Sequence, residues 1–277
     1  MSLSDFLEQP DVRARFNQEF PKPRFNVKQE ILASPPQGGN ASLVGTAYDY
    51  LLRFYIKYLN PHAQDGGWVA GNALHYFQHI ERNDLYEQAA MVIERAKQNY
   101  QTFLRDGQFT DELLKSSLLL AKLDAVYRIR YIHENLLAIN DIDVQDLRNL
   151  VGLLNPEIFP ATGNIVLNPS WADASLLVSG ADGDLMIDDL LVDIKTLKKL
   201  SLGRREFNQL MGYYTLSFIA QKFQPNAIEL TRLGIYFSRF GILYQFNVTE
   251  VLNPATFPEF LIWFTERAQQ YSGFRLI

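Results

Sequence analysis

One stretch, ADGDLMIDDLLVDIKT at residues 181–196, limits what this chain can fold into more than any other. Two runs of alternating polar and apolar residues flank Asp188-Asp189, which reads as the turn of a hairpin. In that register Asp184 faces Asp193 and Asp182 faces Lys195, because cross-strand partners share a face of the sheet. One face then carries Asp182, Asp184, Met186, Leu191, Asp193 and Lys195. The other carries Gly183, Leu185, Ile187, Leu190, Val192 and Ile194 and is wholly apolar. A slip of one residue would drive carboxylates into the core, so the pattern fixes its own register. A four-residue loop centred on the same point gives the same pairing, which matters because Asp-Asp is a poorer tight turn than Asn-Gly.

Like charges facing each other destabilise a sheet, and two or three carboxylates converge here. A divalent cation held by oxygen ligands would compensate, with Lys195 neutralising charge near a bound water or phosphate. On these residues alone, an exposed hairpin with solvated acids and one lysine partner accounts for the pattern equally well.

The flanking sequence supplies context. Residues 1–40 read as an arm with one short helix and a turn-rich exit, given five prolines and Gly38-Gly39. A helix is expected over 42–59. The stretch 60–155 is almost wholly helical: a segment opening at Asn83-Asp84 and ending before Gly107, two segments over 110–123 and 124–139, and a helix N-capped by Asp143 with Asp146 in its first turn. After Pro156 the texture changes. Strands are expected at 164–167, 175–178, 185–187, 190–194, 228–237 and 242–248, and helices at 203–221 and 257–271. The fold class is therefore α/β (α+β), a single domain whose 156–277 core and 41–59 helix are interrupted by a helical insertion at 60–155.

Behind the hairpin, Lys195, Lys198, Lys199, Arg204 and Arg205 are five bases with no acid before Glu206. The net charge of −5 offers no global field for a polyanion, so a nucleic-acid partner would need this local basic surface. On the helix that follows, Arg205, Gln209 and Tyr213 recur every four residues and share a face.

Asp184, then Asp193-Ile194-Lys195, then Gln209-Leu-Met-Gly-Tyr213 resembles the PD-(D/E)XK nuclease superfamily, in particular its RecB-type exonuclease branch. The resemblance covers residues 164–250. It implies a restriction-endonuclease-like core, with a mixed central sheet flanked by helices, that hydrolyses phosphodiester bonds of nucleic acid, DNA in preference to RNA. Asp184 and Asp193 would ligate Mg²⁺ or Mn²⁺, the Ile194 carbonyl would be a third ligand, and Lys195 would position the attacking water. Gln209 and Tyr213 would flank the site, and Lys198, Lys199, Arg204 and Arg205 would meet nucleic acid. The branch also carries an earlier helix with a glycine followed by a histidine near the metal. The matching segment here is Gly45-Thr-Ala-Tyr-Asp49, which makes Asp49 a further ligand candidate, as geometry alone makes Asp182. The alternative is a nuclease fold that no longer cuts and serves as a nucleic-acid-binding or interaction module.

Other chemistries lack their residues. The absence of cysteine excludes disulfides and thiolate metal sites. His75 and His79 share a helix face but have no third ligand, and neither Gly38-Gly39 nor Gly66-Gly67 leads into a phosphate loop. The first residues form neither a basic nor an apolar leader segment, so a cytoplasmic protein without a membrane partner is expected.

Overall fold

The computed structural model describes residues 2–223 and 228–276. The chain opens with two helices, α1 (Leu3–Leu7) and α2 (Pro10–Glu19); Ser2 caps the first and a proline at the first position starts the second. These are no loose arm. Phe6, Phe16 and Phe20 are fully buried, and the rings of Phe16 and Phe20 lie 5.2 and 4.8 Å from that of Phe260. Burying each ring stabilises the fold by about 2–3 kcal/mol, which pins the N-terminus to the core.

The helix α3 (Ala41–Leu59) follows, capped by Asn40, and then a two-residue strand, β1 (Gln64–Asp65). Next come α4 (Asn72–His79), α5 (Asn83–Asp106), α6 (Asp111–Ile129) and α7 (Asp141–Val151). The helix α5 stops at Gly107, where φ is +70° and a side chain would meet the ring of Tyr58 at 2.7 Å. Two expectations fail in this layer. The break expected at residue 124 is absent: α6 runs on to Ile129 and ends at Arg130 in a left-handed conformation. Asn140, not Asp143, caps α7, and the carboxylate of Asp143 instead accepts the backbone N–H of Asn40 at 2.7 Å.

The remaining elements are β2 (Ile165–Leu167), the one-turn helix α8 (Asp173–Leu176), β3 (Leu185–Ile187), β4 (Leu190–Lys195), α9 (Arg204–Gln221), β5 (Arg232–Phe237), β6 (Ile242–Asn247) and α10 (Phe257–Ser272). Residues 175–178 are not the expected strand. The Ser175 hydroxyl accepts from the Trp171 N–H and donates to the Ala181 carbonyl, closing a local turn that competes with sheet pairing.

The six strands form one mixed sheet in chain order, β1 to β6. Neighbours β1 and β2, and β4 and β5, run parallel; the other pairs are antiparallel. The hairpin has the expected register, with Leu185 opposite Val192 and Ile187 opposite Leu190. Its tight turn holds although Asp188 sits at φ +52°, because Thr162 donates to Asp188 through its N–H and hydroxyl, and Arg232 forks onto Asp189.

Helices cover both faces. Leu185, Ile187, Leu190, Val192 and Ile194 pack with α3 to α7 in one core. Leu191, Leu233, Ile235 and Phe237 pack with α1, α2, α9 and α10 in the other. The face that carries the hairpin's acids is therefore roofed by helices. None of the described helices is long and apolar enough to cross a membrane.

Candidate active site

The acids gather where β4 ends and the two helical layers meet. Asp193 is 2% exposed, so the solvated-hairpin alternative does not describe this face. Its Oδ2 lies 2.7 Å from Lys195 Nζ in an ion pair without a well-directed hydrogen bond. Asp184 stands one residue beyond the ladder, and its Oδ2 accepts the Ile194 N–H at 2.6 Å. That bond ties the first acid to the strand that carries the second.

Lys195 Nζ also donates to Gln209 Oε1 at 3.0 Å, and Gln209 Nε2 donates to the Tyr213 hydroxyl at 3.0 Å. The two α9 residues reach the strand together because four residues make about one helical turn. Trp171 stacks on Tyr213 with ring centres 5.0 Å apart, which fixes the phenol from its far side. Asp193, Lys195, Gln209 and Tyr213 thus form a continuous chain from β4 into α9.

Asp49 joins the site from α3. Its Oδ2 binds Arg53 at 2.6 Å, while its Oδ1 is buried without a hydrogen-bond partner. The glycine four residues earlier fits against β4: a Cβ at Gly45 would lie 3.7 Å from Thr196.

Asp182 departs from its expected place. It does not face Lys195 but bridges Ser170, and its carboxylate lies 3.7 Å from Arg128 of α6. The chain leaves β4 at this point because Gly183 bonds back to the Pro169 carbonyl and packs among Pro169, Trp171 and Leu191. Arg128 also binds Asp124 at 2.6 Å, and buried Asp124 accepts from the Tyr50 hydroxyl at 3.2 Å. Sequence reading overlooked this pair. Its signal was an aspartate and an arginine four residues apart inside the apolar run LLLAKLDAVYRI.

Of the basic run, Lys198 and Lys199 are exposed and line an open groove of about 740 Å³ with Lys28. Arg205 pairs with Glu8 at 3.2 Å, and Arg204 donates to Asn17 at 2.5 Å. These two arginines fasten α9 to the N-terminal helices. His75 and His79 are exposed on α4.

Electrostatics sharpen the picture. Burial pushes the Asp193 carboxyl up to about 7, with Asp184 adding to the effect and Lys195 opposing it. Burial also lifts Asp49 to about 7 against the pull of Arg53, and Asp184 again raises it. Burial alone would lower Lys195, but Asp193 and Asp184 outweigh it and hold the ammonium above its ordinary value. Tyr213 is pushed well above the phenol range by burial and the same two acids. Around Asp184 and Asp193 the six carboxylates of residues 49, 124, 182, 184, 193 and 206 face the three cations Arg53, Arg128 and Lys195. The site carries excess negative charge.

A pH dependence follows. Asp49 and Asp193 titrate near 3.8 when unfolded and near 7 when folded, so between these values the folded chain holds more protons. Stability therefore falls as pH rises through this window and levels off above it. His133, whose pKa burial lowers, acts in the opposite sense below its ordinary value but is a single group against two. In EDTA, thermal denaturation is expected to give a higher melting temperature at pH 5 than at pH 8. Asp193→Asn should remove much of the difference, and equal slopes for the two proteins would refute this assignment.

A cavity of about 320 Å³ lined by Glu157, Ile187, Leu190 and Arg232 lies at the other end of these strands and has no part in the cluster. No family model matches the chain, and neither a curated protein nor a solved structure matches it.

Proposed function

We propose that this chain is a metal-dependent nuclease of the PD-(D/E)XK type, with a restriction-endonuclease-like core and DNA as its substrate. One observation carries the reading. Asp193, Lys195, Gln209 and Tyr213 form an unbroken chain, buried at its two ends, beside Asp184. Burying an acid beside other acids costs stability, and a fold gains nothing from it without a function for the charge.

The residues fit a hard divalent cation. The surplus of carboxylates calls for positive charge, and the buried Asp49 Oδ1 lacks a hydrogen-bond donor. No group of three His, Cys, Asp or Glu side chains forms a ready-made metal cage among the described residues. Mg²⁺ suits such a site, since it takes one or two carboxylates and keeps several waters. Asp184 and Asp193 would hold it, with the Ile194 carbonyl and Asp49 as further oxygen donors. A bound Mg²⁺ or Mn²⁺ supplies Lewis acidity toward a phosphate oxygen and acidifies a water.

The chain's own groups do the rest. Lys195 stays cationic at neutral pH and holds a water or phosphate oxygen beside Asp193. Gln209 is a positioning residue: its carbonyl orients the Lys195 ammonium and its amide is anchored on Tyr213. Tyr213 stays protonated, so it adds no charge to an already acidic site. Arg53 pairs with Asp49, and Arg128 with Asp124 and Asp182, so neither arginine is paired with Asp184 or Asp193.

The test is incubation of the chain with linear and circular DNA, single- and double-stranded, in Mn²⁺ and separately in EDTA. Breakdown of DNA in Mn²⁺ and none in EDTA is expected. Intact DNA of every form in Mn²⁺ would contradict the proposal, and attack on circular DNA would separate endonuclease from exonuclease action.

A further inference from the structure

The last turn of α6 and the segment after it read Tyr127-Arg-Ile-Arg-Tyr-Ile-His133, which brings three rings and two arginines together. Tyr127 and Ile129 in the last turn of α6 and Tyr131 just past it are 40%, 72% and 54% exposed, leaving apolar surface where the helix ends. Arg130 has no carboxylate partner among the described residues. Its guanidinium lies over two rings instead, 4.5 Å from the centre of Tyr76 and 5.5 Å from that of Tyr127. Arg130 also holds a left-handed backbone, φ +56°, where helices ordinarily place glycine.

Beside this surface a cavity of about 370 Å³ opens between α3 and α6. Leu43, Ala121 and Ala125 give it an apolar floor, Tyr131 and His133 a ring-lined rim, and Thr46 a polar edge. The Tyr131 and His133 rings meet at 4.7 Å. The cavity adjoins the acidic site along both helices. Thr46 stands about one turn before Asp49 on α3, and Ala125 about one turn before Arg128 on α6, whose guanidinium reaches Asp182 at 3.7 Å.

We propose that this cavity and its Tyr131 and His133 rim bind an unpaired nucleobase of a strand whose backbone lies in the acidic site, an inference that rests on the nuclease reading. A flat apolar floor with exposed rings suits the face of a base, and every base offers one. A double helix keeps those faces stacked inside. Arg130, next in sequence to Tyr131 and without a carboxylate partner among the described residues, is the cation that would meet a phosphate of the same strand. The helical layer thus presents single-stranded nucleic acid to the acids on the sheet.

The test is fluorescence anisotropy with a labelled oligothymidine of about 20 nucleotides and a duplex of equal length, in Ca²⁺ so that neither is consumed. The parent is expected to prefer the single strand. Tyr131→Ala should weaken that binding about tenfold, the loss expected for one stacked base, and leave the duplex unaffected. Tyr131→Phe keeps the ring and should stay within about twofold of the parent. Because Tyr131 is exposed, neither change threatens folding. Unchanged single-strand binding by Tyr131→Ala, or a parent preference for duplex, would overturn the base site alone while cleavage in Mn²⁺ persists. A parent that binds neither probe would overturn the nuclease reading as well.

Discussion

Asp193→Asn and Lys195→Ala are each expected to lower Mn²⁺-dependent DNA cleavage by about 10²–10³-fold, the loss typical of removing one preorganised charged group from an active site. Their effects on stability should have opposite signs, and this separates a catalytic from a structural role. Asp193→Asn removes a carboxylate that burial and Asp184 disfavour, so the metal-free protein should melt higher above pH 7. Lys195→Ala leaves Asp193 buried without its 2.7 Å cation, so that protein should melt lower. Gln209→Ala loosens the ammonium without removing it and should have a smaller effect than Lys195→Ala. Cleavage rates over a metal titration, with melting curves of the same preparations, check all three. A merely structural pair would show cleavage tracking the melting temperature, which Asp193→Asn would break.

The largest stability effect is expected far from the acids. Arg239, between β5 and β6, is fully buried and forks onto Asp146 of α7 at 2.8 and 2.7 Å, with a third bond to the Ala33 carbonyl. This cluster joins the helical layer, the sheet and the N-terminal segment. Asp146→Ala would strand a buried guanidinium and should cost about 3–5 kcal/mol. For a chain of this size that lowers the melting temperature by about 10 °C. Asp146→Leu combined with Arg239→Met removes both charges and should recover most of the loss, because the pair's desolvation offsets most of its attraction. If the double variant is no more stable than Asp146→Ala, the cluster contributes through shape and not through charge.

The hairpin register was legible because period-two patterning leaves one wholly apolar face, and only one register buries it. The Gln209–Tyr213 pairing was legible from helical spacing alone. Asp182 was not, because the chain changes partners at Gly183, and a local alternation carries no sign that an isolated bridge to Ser170 will claim the residue. The burial of Asp193 was equally hidden: α9 and the N-terminal helices roof that face, and residues 1–40, rich in proline, read as an arm. Their phenylalanines pack against α10, a contact between the two ends of the sequence. Asp124 and Arg128 fell within one expected segment, but their four-residue spacing carries no sign that Tyr50 and Asp182 pack against them. Asp146 was read as a first-turn residue favoured by the helix dipole, whereas α7 begins at Asp141 and turns Asp146 inward to Arg239. In each case the missing information was which element packs on which.

The central claim is that the surplus of carboxylates at the end of β4 exists to hold a divalent cation. Anomalous diffraction from crystals soaked in Mn²⁺ tests it most directly. The account predicts a peak within about 2.0–2.4 Å of carboxylate oxygens of both Asp184 and Asp193, absent from Asp193→Asn crystals. A parent crystal with no peak at that position would contradict it.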